Sequence, residues 1–172
     1  MAEALRFTCG TCGKVHQGLP DYGFETPDHY LPVPEAERSA RCRLSSDLCV
    51  IDERDHFVRA VLLVPIRGTA ERFGWGVWSS LSADNFRRYE ALWDAEDVSR
   101  EGPWVGWLSN RVPFYPDTLA LKVAVQPQND GRRPLLELEP TDHPLARDQC
   151  EGITLARAVE LAEALMHPDR SR

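Results

Sequence analysis

The sequence predicts an α+β domain: an antiparallel sheet of about five or six strands, two main helices and an N-terminal zinc-knuckle loop. Three observations carry this. Strand-like apolar segments are concentrated between residues 43 and 139, and helices set apart from the strands disfavour alternating βαβ units. Apolar residues recur at helical spacing over 82–95 and again after Thr154, the mark of two amphipathic helices. Near the start, Cys9-Gly10-Thr11-Cys12-Gly13-Lys14-Val15-His16 sets two thiols and an imidazole at a spacing that suits one tetrahedral ion.

In chain order, the knuckle comes first. Two cysteines separated by two residues can turn both sulfurs inward, Gly13 relieves the backbone where it reverses, and His16 is close enough to be a third ligand. A structural zinc takes four ligands, so a partner must come from elsewhere in the chain. Residues 19–42 follow, with Pro20, Pro27, Pro32 and Pro34 interrupting any regular pattern. Tyr22, Phe24 and Tyr30 give this stretch rings to bury, which marks an ordered arm. Strands are expected over 43–51, 57–66 and 73–79, the first two joined by Asp52-Glu53-Arg54-Asp55. The second is apolar on both faces around 61–64, the pattern of a central strand. In Phe73-Gly74-Trp75-Gly76-Val77-Trp78 a two-residue period sends Trp75 and Val77 to one face and Trp78 to the other with the glycines.

The first helix is expected over 82–95, with Ser82 as its cap, Leu81 and Phe86 as a hydrophobic staple, and Phe86, Tyr89, Leu92 and Trp93 as its buried stripe. Strands follow over 104–108, 119–125 and 135–139, the last two joined through Pro127-Gln128-Asn129-Asp130-Gly131. The second helix starts at Thr154. Leu155, Ala158, Val159, Ala162, Leu165 and Met166 share one face, with Arg157, Glu160 and Glu163 outside. The whole chain, 1–172, reads as a single domain in three parts: knuckle 1–18, proline-rich arm 19–42 and α+β body 43–167.

Composition narrows the function. The chain has 172 residues, 42% hydrophobic, enough for one domain to bury a core. A net charge of −7 and a pI near 5.2 oppose phosphate backbones and anionic lipid surfaces, so neither nucleic acid nor a membrane is an expected partner. An unknown protein or small molecule is. No leader-like or membrane-spanning run occurs, and five cysteines without a disulfide pattern suit a reducing compartment. A cytoplasmic protein is expected.

Several local signatures recur in a distinctive order: the knuckle with Leu19-Pro20; Leu44-Ser45-Ser46-Asp47-Leu48-Cys49-Val50-Ile51-Asp52; Gly74-Trp75-Gly76-Val77-Trp78; Gly106-Trp107-Leu108-Ser109; and Glu137-Leu138-Glu139-Pro140-Thr141-Asp142-His143-Pro144-Leu145. In this the chain resembles the bacterial domain-of-unknown-function family 2199, a resemblance that implies kinship and no reaction. It implies Cys9, Cys12, His16 and Cys49 as the metal set. Cys42, close by, would be chemically equivalent as the fourth ligand.

Three thiolates and an imidazole would close a zinc site against water, which suits a structural ion and a binding or interaction module. The enzymatic alternative is a small-molecule hydrolase using Asp142 and His143, or an open zinc. Asp142-His143 has the order of an oriented base, yet Thr141-Asp142-His143-Pro144 reads equally as a helix start with Asp142 capping and Pro144 in the first turn. His29, His56 and His167 read as surface residues. Trp75, Trp78 and Trp107, with Trp104, Ser109 and Asn110, are candidates for a ligand cleft or interface, against the competing reading as core.

Overall fold

A computed structural model describes residues 5–168; residues 1–4 of the expected knuckle segment and 169–172 lie outside it. A short hairpin, β1 (Arg6–Thr8) and β2 (Val15–Gln17), opens the chain and forms a two-stranded sheet of its own. The arm then contributes β3 (Tyr22–Gly23), a 3-10 turn (Asp28–Tyr30) and α1 (Glu35–Arg41). Pro34 directly precedes α1, where a fixed φ favours a helical start. Next come β4 (Cys42–Leu44) and β5 (Leu48–Ile51). The single strand expected over 43–51 is therefore two, because Ser45-Ser46-Asp47 forms a turn in which the Ser45 hydroxyl accepts from the Leu48 amide at 3.0 Å.

The body continues with β6 (Asp55–Pro65), β7 (Arg72–Leu81), α2 (Ala83–Ala91), β8 (Trp104–Leu108), β9 (Lys122–Gln126), β10 (Leu135–Leu138), α3 (Pro144–Glu151) and α4 (Leu155–Met166). Its strands do not make a simple antiparallel sheet. β6 pairs with β7, then β8, β9 and β10 follow, and β10 returns to pair parallel with β6 through Leu135 opposite Val61 and Leu136 opposite Leu62. Five strands thus close into a barrel, which removes free edges from that circuit. β5 and β4 extend it from the first half of β6, and β3 adds to β7.

Closure depends on two long strands that change neighbours along their length. β6 pairs with β5 near Asp55–Val58 and with β10 at Val61–Leu62; β7 pairs with β3 at Trp75–Gly76 and with β8 at Ser79–Ser80. The switch needs close backbone approach. A Cβ at Gly106 on β8 would stand 2.5 Å from the Ser80 carbonyl oxygen, and one at Gly76 would stand 3.1 Å from the Gly23 Cα. Only glycine fits at Gly106 without a shift of backbone, and at Gly76 an added methyl would push the β3 backbone away by a few tenths of an ångström.

Alternation along β6 buries Val58, Ala60, Leu62 and Val64 completely, and they pack with the buried Phe73, Trp75 and Val77 of β7 and with Leu108, Val123, Val125, Leu136 and Leu138. Phe86 and Tyr89 of α2, Leu145 and Ala146 of α3, and Ala158, Leu161 and Ala162 of α4 complete this core. Each fully buried large side chain contributes about 1.5–3 kcal/mol. A second cluster gathers Val33, Cys49, Ile51, Phe57 and Trp78, with Phe24, Tyr30 and Cys42 against it. Trp75 and Trp78 therefore do fall on opposite faces of β7, one in each cluster.

Helix starts follow local chemistry. Ser82 caps α2 by accepting from the Asn85 amide at 3.2 Å, and Thr154 caps α4 by accepting from Arg157 at 3.1 Å. Gly152, at φ 77°, ends α3 where a Cβ would press on the Pro65 carbonyl at 3.0 Å. Beside it, Ile153 donates to Pro65 and its carbonyl accepts from Arg67, both at 2.9 Å. Those bonds fix the launch of α4 from the end of β6 and so decide where its far end arrives. No helix among the described residues is long and apolar enough to cross a membrane.

Candidate metal centre

The β1–β2 hairpin is a clasp for two sulfurs. The Cys9 amide donates to the Lys14 carbonyl and the Gly13 amide to the Cys9 carbonyl, both at 2.8 Å, with Gly13 at φ 72° making the reversal. His16 stands opposite Phe7 in the ladder, their rings stacked with centroids 5.4 Å apart, which orients the imidazole. Its Nε2 is 3.4 Å from the Cys12 Sγ.

The far end of α4 completes the group. Glu163 accepts a short hydrogen bond from the Gly10 amide, docking the hairpin tip on the helix. One turn later His167 caps the helix, its amide bonded to the Glu163 carbonyl at 3.0 Å, and its Nε2 stands 3.4 Å from the Cys9 Sγ. One ligand atom each from Cys9, Cys12, His16 and His167 all lie within 4.8 Å of one another, and Cys9 is fully buried. Two thiols and two imidazoles so gathered could hold a metal ion.

Electrostatics suit that role at Cys9. Burial, the largest influence, pushes its thiol up, but hydrogen bonds from the Cys12 and Thr11 amides and from the Cys12 side chain outweigh it, so the group is held below the ordinary thiol range. The nearby Glu163 carboxylate opposes them.

The fourth member is His167 and not Cys49. Cys49 lies on β5 with no exposed surface, among Val33, Ile51, Phe57 and Trp78 under the proline-rich arm. Burial, with the neighbouring Cys42 thiol, pushes its thiol up to about 12. Cys42 packs against the same cluster, so the fold brings neither of them to the knuckle. Sequence reading placed His167 and Glu163 on the solvent side because both lie off the apolar stripe of α4. A signal was present: the two are four residues apart, hence on one face at the helix end.

The other candidates are dispersed. No hydrogen bond joins Asp142 to His143 among the described residues. His143, not Asp142, caps α3, its Nδ1 accepting from Leu145 at 3.2 Å, while its Nε2 is buried without a partner. Trp75 and Trp78 are core residues with no exposure; Trp78 donates from Nε1 to the Phe24 carbonyl at 3.0 Å. Trp107 is half exposed on the outside of β8. Ser109 and Asn110 are buried, and Asn110 is a strut: it accepts from the Trp78 amide at 2.8 Å and donates to the Thr26 carbonyl at 2.9 Å and Asp28 at 3.0 Å, tying the arm to the barrel.

No curated protein and no solved structure matches the chain. Residues 8–153, from the knuckle through α3, match a family model described as uncharacterized protein conserved in bacteria, and the chain therefore belongs to that family, DUF2199.

Proposed function

We propose that this protein is a binding or interaction module whose two chain ends are clamped by one structural Zn2+ held by Cys9, Cys12, His16 and His167. The observation that carries the reading is the convergence of four donors from segments 158 residues apart. Zn–S and Zn–N bonds of the usual lengths make a tetrahedron with edges of about 3.4–3.8 Å; the Cys12–His16 and Cys9–His167 S···Nε2 separations are each 3.4 Å, and the four ligand atoms all lie within 4.8 Å of one another. Two thiolates would neutralise the ion. Four protein ligands leave no position for an activated water, the arrangement of structural rather than catalytic zinc. The reading includes a reducing, cytoplasmic setting, in which thiolates stay available to the metal. The acidic charge favours a protein or small molecule as partner over nucleic acid or a membrane.

Metal analysis of the purified protein tests this. One zinc per chain is expected, and cobalt substitution should give the visible absorption of a tetrahedral ion with sulfur ligands. Cys9→Ser, Cys12→Ser and His167→Ala should each lower metal affinity, whereas Cys49→Ser should leave it unchanged. Well under one zinc per chain, or a loss of metal in Cys49→Ser that matches Cys9→Ser, would overturn the proposal.

A further inference from the structure

Away from the metal centre a cleft of about 500 Å³ opens between the end of α2, the β4–β5 turn and the β9–β10 connection, within the range of small-molecule sites. Its floor is aromatic. Trp93, just beyond α2, was expected in the buried stripe yet is 50% exposed. Its ring meets Tyr89 edge-on at 6.0 Å, and Tyr89 meets Trp104 the same way at 6.4 Å, so the indole is braced from one side and open on another. A narrower recess shares Tyr89 and Trp93 with the cleft and is lined also by Leu92, Val98 and Pro127.

The opposite wall is cationic. Asp47 is the sole carboxylate lining the cleft among the described residues, and it is already engaged by the Arg133 Nε at 2.6 Å. Arg132 is left over: its Nε donates to the Asn129 carbonyl at 3.3 Å, and its terminal nitrogen reaches Asp130 only at 4.0 Å. Most of its guanidinium fork is therefore available to an anion. The loop that presents it is fixed. The Gln128 Nε2 donates to the Arg133 carbonyl at 2.6 Å, the Asn129 Oδ1 accepts from the Val98 amide at 2.8 Å, and Asp130 and Gly131 both turn with φ 63°. The Tyr89 side chain lines the same cleft, and its hydroxyl carries no hydrogen bond among the described residues.

We infer that this cleft binds a small aromatic anion, its ring against Trp93 and its carboxylate or phosphate on the Arg132 fork, with the Tyr89 hydroxyl as a further polar contact. An indole face and a planar guanidinium are the side chains that best take a ring and a forked anion respectively. In a chain of net charge −7, an arginine paired only loosely with Asp130, beside an open tryptophan, concentrates the attraction for such a ligand at one place. The cleft shares no residue with the metal centre, so this inference stands apart from the zinc reading.

Calorimetric titration of the metal-loaded protein tests it with adenosine 5′-monophosphate and indole-3-carboxylate as phosphate and carboxylate arms, and adenosine and inorganic phosphate as the separate halves. At least one aromatic anion should bind, with each half about tenfold or more weaker. Trp93→Ala and Arg132→Ala should each weaken binding by a similar factor, while Trp107→Ala, which removes an equally exposed indole outside the cleft, should not. Both target side chains are at least half exposed, and an unchanged melting temperature and zinc content verify the fold. Absence of binding by both anions, or affinity unaltered in either cleft variant, would overturn the inference.

Discussion

Replacing His167 with alanine removes the one proposed metal ligand that comes from α4, while leaving the Gly10–Glu163 hydrogen bond between the hairpin and the same helix in place. His167 and Cys9 are separated by 158 residues, whereas the other three donors lie within a single hairpin. A bridge spanning that much chain removes about 5 kcal/mol of conformational entropy from the unfolded state, a ceiling for the clamp. At about 2–4 °C per kcal/mol for a domain of this size, the full effect is a melting shift of about 10–20 °C. In His167→Ala the hairpin keeps Cys9, Cys12 and His16, so metal should still bind, but it would then brace only a short local loop. Differential scanning calorimetry in slight zinc excess should show the variant melting about 10 °C or more below the parent. A chelator should lower the parent to nearly the temperature of the variant and move the variant little. If the variant melts with the parent in zinc, or if the chelator costs both proteins the same, the clamp reasoning is wrong.

Gly106→Ala should lose about 2–4 kcal/mol in urea denaturation, since the added methyl collides with the Ser80 carbonyl where β7 hands over to β8; a loss under 0.5 kcal/mol would show that the crossing can relax. The Cys49 thiol, pushed up to about 12 from an ordinary 9.0, should resist alkylation by iodoacetamide at neutral pH while exposed Cys150 reacts, and mass mapping reads the order. Because that folded value is raised, its contribution to stability is full below about pH 9 and is lost as pH climbs toward 12, so Cys49→Ala should flatten the decline in unfolding free energy above pH 9; identical slopes would contradict it. Asp47 is the reverse case. Burial, its largest influence, raises it, but hydrogen bonds from Ser46 and Arg133 outweigh this and hold it below the usual carboxylate range. Its contribution is therefore present above about pH 4 and lost as pH falls further, and Asp47→Asn should cost about 1 kcal/mol at pH 7 with a shallower acid transition.

Much of the secondary structure was legible because local rules governed it. Ser82 and Thr154 act as caps by their own hydroxyls, and the two-residue period of β7 sends Trp75 and Val77 to one side and Trp78 to the other whatever surrounds the strand. The CxxC-x3-His spacing likewise needs only one hairpin to bring three donors together. Barrel closure was not legible, since it requires β10 to find β6 in parallel across a long separation, and nothing in either segment names its partner. α1 was hidden by the prolines of the arm, and α3 by the ambiguity of Thr141-Asp142-His143-Pro144, in which the imidazole rather than the carboxylate takes the cap.

The Cys/His group that could hold a metal divides along the same line. Sequence alone determined that Cys9, Cys12 and His16 belong together, because neighbouring residues cannot avoid one another within a tight turn. Only the tertiary structure decided that His167 joins them and Cys49 does not. That choice depends on where α4 ends after Ile153 is bonded to β6, and on the arm burying β5 beneath Val33 and Tyr30. Long-range proximity is the outcome of the whole packing, whereas a knuckle is written in eight consecutive residues.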